Sequence, residues 1–387
     1  MAYERDLEFI YSNPTKITYR ERCVEDTGVE VSELGCSKAF LVTDPGVVEA
    51  GLAARVQKAL GTKCVGTFDE CCQDSGYHII EKAAGIAREK GADCVVSVGG
   101  GSVIDTTKGI SILLKSGGRL ADYEGVQLLT EPQTPHVAIT TNAGTGAEVT
   151  NVAVIKDWDR HLKQFFVSPF IAPSVAILDP TLTTDLPPML TATTGMDALT
   201  HAIEGMVDTP AEPLVDALGL HAIRLIMKNL PVCVENGDDM LARGQQMLAA
   251  TIAGIAFSNS QAGLVHTIAH TAGGLFGVPH GLGNSIMLPH VMMFNLEDAA
   301  DKYAMIAEAM GIDVRGMSDM EAGEAAANAI MEFTKKLGVP QKLSEAGVPE
   351  DGLEQLAEQA MSDGSIVYNA KMVMDSSEIM ELLKKAW

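Results

Sequence analysis

Several protein classes are excluded by what the sequence does not contain. No two of its seven cysteines are spaced as CxxC, and six of them (Cys23, Cys36, Cys64, Cys71, Cys72, Cys94) fall before residue 95. An odd, unpaired set argues against a disulfide framework and for a reducing, cytoplasmic compartment. The adjacent Cys71 and Cys72 then read as small buried or half-buried hydrophobes. Basic charge is scarce: 28 Lys and Arg stand against 51 Asp and Glu, a net charge of −23. Nucleic-acid binding rests on clustered Lys and Arg, and an anionic membrane surface repels such a chain, so neither is expected as a partner. The acidity reads as solubility. No apolar run reaches the ~18 residues of a membrane span. The start, MAYERDLEFIYSNP, has no basic segment followed by an apolar one, so no secretory signal is expected.

Core-forming material is plentiful. The chain is 47% hydrophobic and only 20% charged, which describes a globular protein able to offset its chain entropy by burial. Its 387 residues suggest two domains. Up to about residue 185, short apolar runs alternate with helical stretches. SKAFLVTD (37–44), DCVVSV (93–98), HVAITT (136–141) and SVAILD (174–179) read as buried strands, with helical patterns such as IIEKAAGIAREKGA (79–92) between them. Continuous apolar strands separated by helices indicate a parallel sheet covered on both faces. After DLPPML (185–190) only helical patterns remain, over 195–208, 212–228, 239–257, 260–273, 283–296, 298–310, 319–337 and 351–362. Pro187 and Pro188 mark the change. The expectation is an α/β domain over 1–186, with a parallel sheet, and an all-helical domain over 187–387.

Two glycine loops follow strands. SVGGGSVID (97–105) places three glycines between a strand and a helix, where the backbone can approach a phosphate and the first free N–H groups favour negative charge. The dinucleotide fingerprint GxGxxG is absent, and glycine at a tight turn is equally explained structurally. NAGTGAE (142–148) follows another strand, and two such loops are what a nucleotide crevice at the carboxyl edge of a sheet needs. Asp44 ends the first strong strand. It can accept from a ribose 2′-hydroxyl and repel a 2′-phosphate, which favours NAD over NADP, or it can simply cap the following turn.

The remaining signal is in the histidines. Asp197 and His201 lie at i and i+4 in TGMDALTHAIEGMVD, about 40° apart around a helix, so one cation could reach both. Glu204 and Asp208 share that face, so the segment alone reads equally as an amphipathic helix with a solvated polar stripe. GLVHTIAHTAGGLFGVPHG (263–281) differs: Leu264, Val265, Ile268 and Ala269 surround His266 and His270, and a helix apolar on all sides is a buried one. Buried imidazoles need partners. Hydrogen bonds are one answer; a cation shared with the Asp197–His201 stripe is another. His280 follows in what reads as a connection before the next helix.

Taken together, GGGSVID, TTNAGTGAE, GMDALTHAIE and GLVHTIAH followed nine residues later by HG resemble the iron-containing (group III) alcohol dehydrogenases over essentially the whole chain. The resemblance implies a dinucleotide-binding α/β domain followed by a helical domain, an NAD cofactor and a divalent metal, Fe²⁺ before Zn²⁺, Ni²⁺ or Mn²⁺. It implies Asp197, His201, His266 and His280 as metal ligands, and His270 as a histidine near the nicotinamide that is not a ligand and can pass the proton. Asp44 matches the acidic residue that selects NAD. Gly100, Gly101 and Ser102 match the pyrophosphate loop, and Thr141, Asn142 and Thr145 the second cofactor loop. Lys163 matches a lysine near the adenosine ribose, and Phe257 an aromatic wall of the substrate pocket, with Val152 and Leu264 as apolar neighbours. Three departures stand out: Asn142 where the family commonly has threonine, Ala147 where serine is frequent, and Gln73-Asp74-Ser75 in place of a Pro-Asn/Asp-Pro near the nicotinamide.

Imidazole with carboxylate suits several divalent ions, so the donor types alone do not choose among them. The implied reaction is hydride transfer between a small primary alcohol or its aldehyde and NAD(H), in a homodimer or larger homo-oligomer. Arg160, His161 and Lys163 lie close in sequence and leave open a substrate with an anionic tail, although surface charge beside a nucleotide explains them as simply. The competing readings are a zinc-dependent polyol dehydrogenase of the glycerol type, which would use fewer histidine ligands, and an NAD- and metal-dependent lyase resembling dehydroquinate synthase. The lyase needs several Lys and Arg for a phosphorylated substrate, and the histidine-bearing segments contain none.

Overall fold

The computed structural model describes residues 7–73, 75–158, 160 and 162–387, so Asp74 and His161 lie outside the described residues. The chain forms two compact units. One comprises Ser12–Asn142 and Gly146–Leu186; the other comprises Pro187–Trp387 with Ala143–Thr145 and a stretch ending at Tyr11.

The first unit is built on strands β1 (Lys16–Tyr19), β2 (Ala39–Val42), β3 (Cys64–Phe68), β4 (Cys94–Gly99), β5 (Gly125–Val126), β6 (His136–Thr140), β7 (Val152–Asp157), β8 (Leu162–Val167) and β9 (Val175–Leu178). Six of them form a parallel sheet in the order β1-β9-β6-β4-β2-β3. Every residue of β2, β4, β6 and β9 is buried, which is why these strands read as unbroken apolar runs. Alternate residues face opposite sides. Phe40, Val42 and Val95 join a core under helices α4 (Tyr77–Glu89) and α5 (Gly101–Ser116). Ala39, Leu41 and Val96 join the opposite core with α1 (Thr27–Glu33) and α3 (Leu52–Leu60). A short helix α2 (Pro45–Glu49) leads from β2 into α3.

The connections fix where a ligand can sit. The chain leaves β2 toward β3 but leaves the neighbouring β4 toward β6, on the other side. The carboxyl ends of β2 and β4 are therefore the switch point of the sheet, the place where open α/β sheets hold ligands. A smaller sheet, β5-β8-β7, contains an antiparallel β7–β8 hairpin that the sequence pattern did not reveal. It is tied to α5 by Asp105, whose Oδ2 accepts from Val154 N at 3.0 Å, and by Lys108, whose Nζ donates to Val152 O at 2.5 Å and Thr150 Oγ1 at 2.8 Å.

The second unit is helical: α6 (Pro188–Val207), α7 (Pro213–Glu235), α8 (Met240–Ser260), α9 (Leu264–Phe276), α10 (His280–Phe294), α11 (Ala300–Ala309), α12 (Asp319–Lys336), α13 (Leu353–Ala360) and α14 (Ser376–Ala386). α7 is long and apolar enough to cross a membrane, but its span carries Asp216, Arg224 and Lys228 and it packs on α6 and α8. α6 is the centre of the unit, enclosed by α7, α8 and α10, and every residue from Gly195 to Val207 is buried. Of the two readings the sequence left open for its polar stripe, solvated or turned inward, the stripe is interior. Gly195 permits this: a Cβ there would lie 2.3 Å from Leu230 of α7, so only glycine lets the two helices approach.

Candidate active site

Three helices of the second unit bring the histidines together. α6 carries Asp197 and His201 one turn apart, and α9 carries His266 and His270 one turn apart. The chain bends by 103° between α8 and α9, at Gln261 with φ 72°, which turns the start of α9 toward α6. His280 is the first residue of α10, with Pro279 as its cap; it does not lie in the connection expected from the sequence. The Gly281 after it is required, because a Cβ there would lie 2.3 Å from Thr193 O of α6. The HG that ends the 263–281 stretch is thus a histidine followed by the residue that lets its helix end touch α6.

The donor atoms converge. Asp197, His201 and His266 each offer a ligand atom, all within 4.8 Å of one another. Nε2 of His201 and of His266 are 2.9 Å apart, and His280 Nε2 is 3.3 Å from Asp197 Oδ1. His270 stands apart from this set: its ring stacks on His280 at 5.1 Å, and its Nδ1 is 3.2 Å from Asp363 Oδ2. Phe257 of α8 stacks on His201, with ring centroids 4.3 Å apart and planes 17° from parallel. Leu264 is fully buried at the start of α9.

Burial opposes charge throughout this site, and the partners decide the outcome. It drives the His201 imidazole down to about 3 against the opposing pull of Asp197, so His201 is neutral at ordinary pH. It also works against the Asp197 carboxylate, but His201, His280 and His266 outweigh it and hold that group below the usual carboxylate range. For His266 the carboxylate of Glu204 overcomes burial and raises the imidazole. The result is a buried carboxylate facing imidazole nitrogens, of which those of His201 belong to a neutral ring. His201 Nδ1, His280 Nδ1 and Asn284 Oδ1 are buried with no hydrogen-bond partner among the described residues. Two imidazole nitrogens 2.9 Å apart share at most one proton. Donors so placed, and so few protons among them, fit a divalent cation bound by three imidazoles and a carboxylate.

Two further residues belong to the cluster and were not expected. Asn284, one turn after His280, donates Nδ2 to Asp197 Oδ1 at 2.6 Å and lies 3.2 Å from Nε2 of both His266 and His280. Its i+4 spacing from His280 was the available signal. Glu204, placed by the sequence on the Asp197–His201 face with no role of its own, is 2% exposed and bonded to His266 Nδ1.

In the first unit the loop residues sit at the switch point. Asp44 follows β2 and caps α2 through Oδ1, which accepts from Val47 N at 2.9 Å. Gly100 and Gly101 open α5 after β4, with Ser102 in its first turn. Thr141 N donates to Gly99 O at 3.1 Å, so the strand entering the second loop, with Asn142, lies beside the first. Thr145 groups with the helical unit. Lys163 of β8 faces Lys156 across the hairpin, and its charge acts on Asp105 of α5. Val152 begins β7. Arg160 is held by Asp157 at 2.5 Å and Glu124 at 2.6 Å, which neutralise it.

A doubly wound sheet with glycine loops at its switch point, and a helical unit with a buried Asp/His cluster, define a nucleotide-linked metalloenzyme. A family model for iron-containing alcohol dehydrogenases matches residues 14–180, and one for the C-terminal part of the Fe-containing alcohol dehydrogenase family matches residues 191–387. The NAD-dependent methanol dehydrogenase of Bacillus methanolicus is 39% identical over 94% of this chain and 96% of its own length. The lactaldehyde reductase of Escherichia coli K12 is 37% identical over 92% of this chain and 94% of its own. The crystal structure of a 1,3-propanediol oxidoreductase superposes with a TM-score of 0.95 at 37% identity, covering 98% of this chain and all of its own. The chain belongs to the iron-containing alcohol dehydrogenase family, and it is an oxidoreductase of alcohols and aldehydes.

Proposed function

We propose that this chain interconverts a small primary alcohol and its aldehyde, using NAD(H) and a divalent cation held by Asp197, His201, His266 and His280. The observation that carries this reading is the convergence of Asp197, His201 and His266 within 4.8 Å in a buried site. When bound, the cation supplies Lewis acidity at the substrate oxygen, and the dinucleotide supplies or takes the hydride. Iron is put first because of the family; by affinity alone zinc would compete.

The chain's own residues do the rest. Asp44 accepts from the ribose hydroxyls, Gly100, Gly101 and Ser102 offer the first N–H groups of α5 to the pyrophosphate, and Thr141, Asn142 and Thr145 line the second loop. Lys163 adds a cation at the adenosine end. Phe257, flat against His201, gives the substrate an apolar wall, with Val152 as a second apolar candidate. His270, held by Asp363 one turn beyond His266, takes the alcohol proton toward solvent or returns it. With Arg160 paired to two carboxylates, an uncharged substrate fits better than an anionic one, in keeping with the methanol, propanediol and lactaldehyde of the relatives' names. Seven free cysteines suit a cytoplasmic, reducing compartment, and a homodimer or larger homo-oligomer is the expected assembly. Purification without oxygen, metal analysis and NADH consumption over a panel of C2–C4 aldehydes tests the reading. Stoichiometric metal and turnover are expected; full activity in chelator-stripped protein would overturn it.

A further inference from the structure

We propose that Glu204 is a positioning residue for the metal centre: it fixes which nitrogen of His266 faces Asp197 and His201, and it anchors the helix end that carries that histidine. This rests on reading Asp197, His201, His266 and His280 as a cation site.

The geometry is specific. Glu204 Oε2 accepts from His266 Nδ1 at 2.5 Å and from Gly263 N at 3.2 Å, and Oε1 accepts from Val265 N at 2.7 Å. Gly263, the cap residue of α9, has no side chain with which to satisfy that helix's first N–H groups. Glu204 does so from α6, and the same carboxylate accepts the hydrogen bond of His266 Nδ1–H. A neutral imidazole has one proton. Held at Nδ1, it leaves a lone pair on Nε2, 2.9 Å from His201 Nε2 and 3.8 Å from Asp197 Oδ1. A carboxylate behind a ligating imidazole also raises its basicity.

Two observations set Glu204 apart from an ordinary helix cap. Nδ1 of His201 and Nδ1 of His280 have no hydrogen-bond partner among the described residues, so within the proposed ligand set this support is given to His266 alone. Asp208, one turn further along α6, is buried, and neither of its carboxylate oxygens has a hydrogen-bond partner among the described residues; burial followed by the charge of Glu204 pushes it well above the usual carboxylate range. Of the two carboxylates on this face of α6, Glu204 is therefore the one that serves His266 and α9.

Glu204→Gln separates the two roles. Its amide oxygen can still accept from Val265 N, but its NH2 cannot accept from His266. Zn²⁺ titration of stripped protein against a chromophoric chelator gives the affinity, and Co²⁺ absorption reports the ligand geometry. Asp239→Ala, which removes the cap that accepts from Ala242 N at 2.9 Å on α8, is the control for a purely structural loss. The expected result is a fall of ~10–100-fold in Zn²⁺ affinity for Glu204→Gln with an altered Co²⁺ spectrum, while Asp239→Ala loses thermal stability and keeps wild-type affinity. Wild-type affinity and spectrum in Glu204→Gln overturn this inference alone; a wild-type chain that takes up no Zn²⁺ overturns the underlying site as well. Should Glu204→Gln fail to fold, a crystal structure of the Zn²⁺-loaded wild type decides: Nδ1 of His266 on Glu204 supports the assignment, and Nδ1 on the metal defeats it.

Discussion

Asp44 holds the start of α2 with one oxygen, and in the proposed site its charge selects the cofactor. The two roles can be separated. Serine caps a helix as well as aspartate does, but carries no charge to repel a 2′-phosphate. Like-charge juxtaposition at a binding surface costs several kcal/mol, and ~1.4 kcal/mol is already tenfold. Asp44→Ser should therefore lower the ratio of kcat/KM with NAD to that with NADP by at least ~10-fold, with little change in melting temperature. An unchanged ratio would place selection elsewhere. His270 is argued as a proton carrier outside the ligand set, so His270→Ala should keep the metal and lose ~10²–10⁴ in turnover; metal analysis beside kcat checks both, and loss of the metal would put His270 among the ligands. His136, in the middle of the sheet, reports on pH. Burial drives it down to about 3, and Ser97 Oγ holds its Nε2 at 2.7 Å. The unfolded chain takes a proton near the ordinary value of 6.5 while the folded one refuses it, so stability is intact above that pH and falls below it. Between pH 6.5 and pH 5 the wild type should lose ~2 kcal/mol more than His136→Gln in urea unfolding; parallel curves would show that His136 titrates freely.

At the scale of elements, legibility followed the kind of burial. β2, β4, β6 and β9 were readable because a strand buried on both faces is an unbroken apolar run, and the glycine loops were readable because they follow those strands. The β7–β8 hairpin was not. It carries Lys156, Asp157 and Lys163 among its apolar residues, and what fastens it lies far away in sequence, at Asp105 and Lys108. α6 was ambiguous for a related reason: by itself its polar residues fit a solvated stripe as well as a cation site, and the partners on α9 and α10 that turn the stripe inward lie 61 and 87 residues away in sequence. Nor could His280 be recognised as a helix start when its cap, Pro279, has no capping side chain. The Asp105–Lys108 tie makes the element argument testable. Lys108 is fully buried, and without its cation the half-buried Asp105 carboxylate and the carbonyl of Val152 lose their partner. Lys108→Met should cost roughly 3–5 kcal/mol in urea unfolding, and adding Asp105→Asn should recover part of it by removing the uncompensated charge. A single variant as stable as the wild type would mean that the hairpin is held by its apolar contacts alone.

For the molecule as a whole, the two units differ in what holds them. The sheet unit has an apolar core on each face and buries its strands completely. The helical unit gathers an uncommon share of buried polar groups about α6, among them Asp197, His201, Glu204, Asp208, His266 and Asn284, and several have unmet bonding capacity. Burying such groups is unfavourable unless something completes their coordination. All four proposed ligands belong to this unit, on α6, α9 and α10. A cation there ties the three helices together and adds RT ln(1 + [L]/Kd) to the unit's stability, about 2.7 kcal/mol at one hundred times Kd. That gain is local, because the sheet's strands contribute no ligand to it. Hydrogen exchange of stripped and Fe²⁺-loaded protein, compared without oxygen, should show slower exchange in α6, α9 and the first turns of α10 on loading, and the same rates in β2, β4 and β6. Protection gained first in the sheet strands would mean that the cation binds outside the histidine cluster. Unchanged exchange in all three helices would mean that the cluster is held by its hydrogen bonds alone.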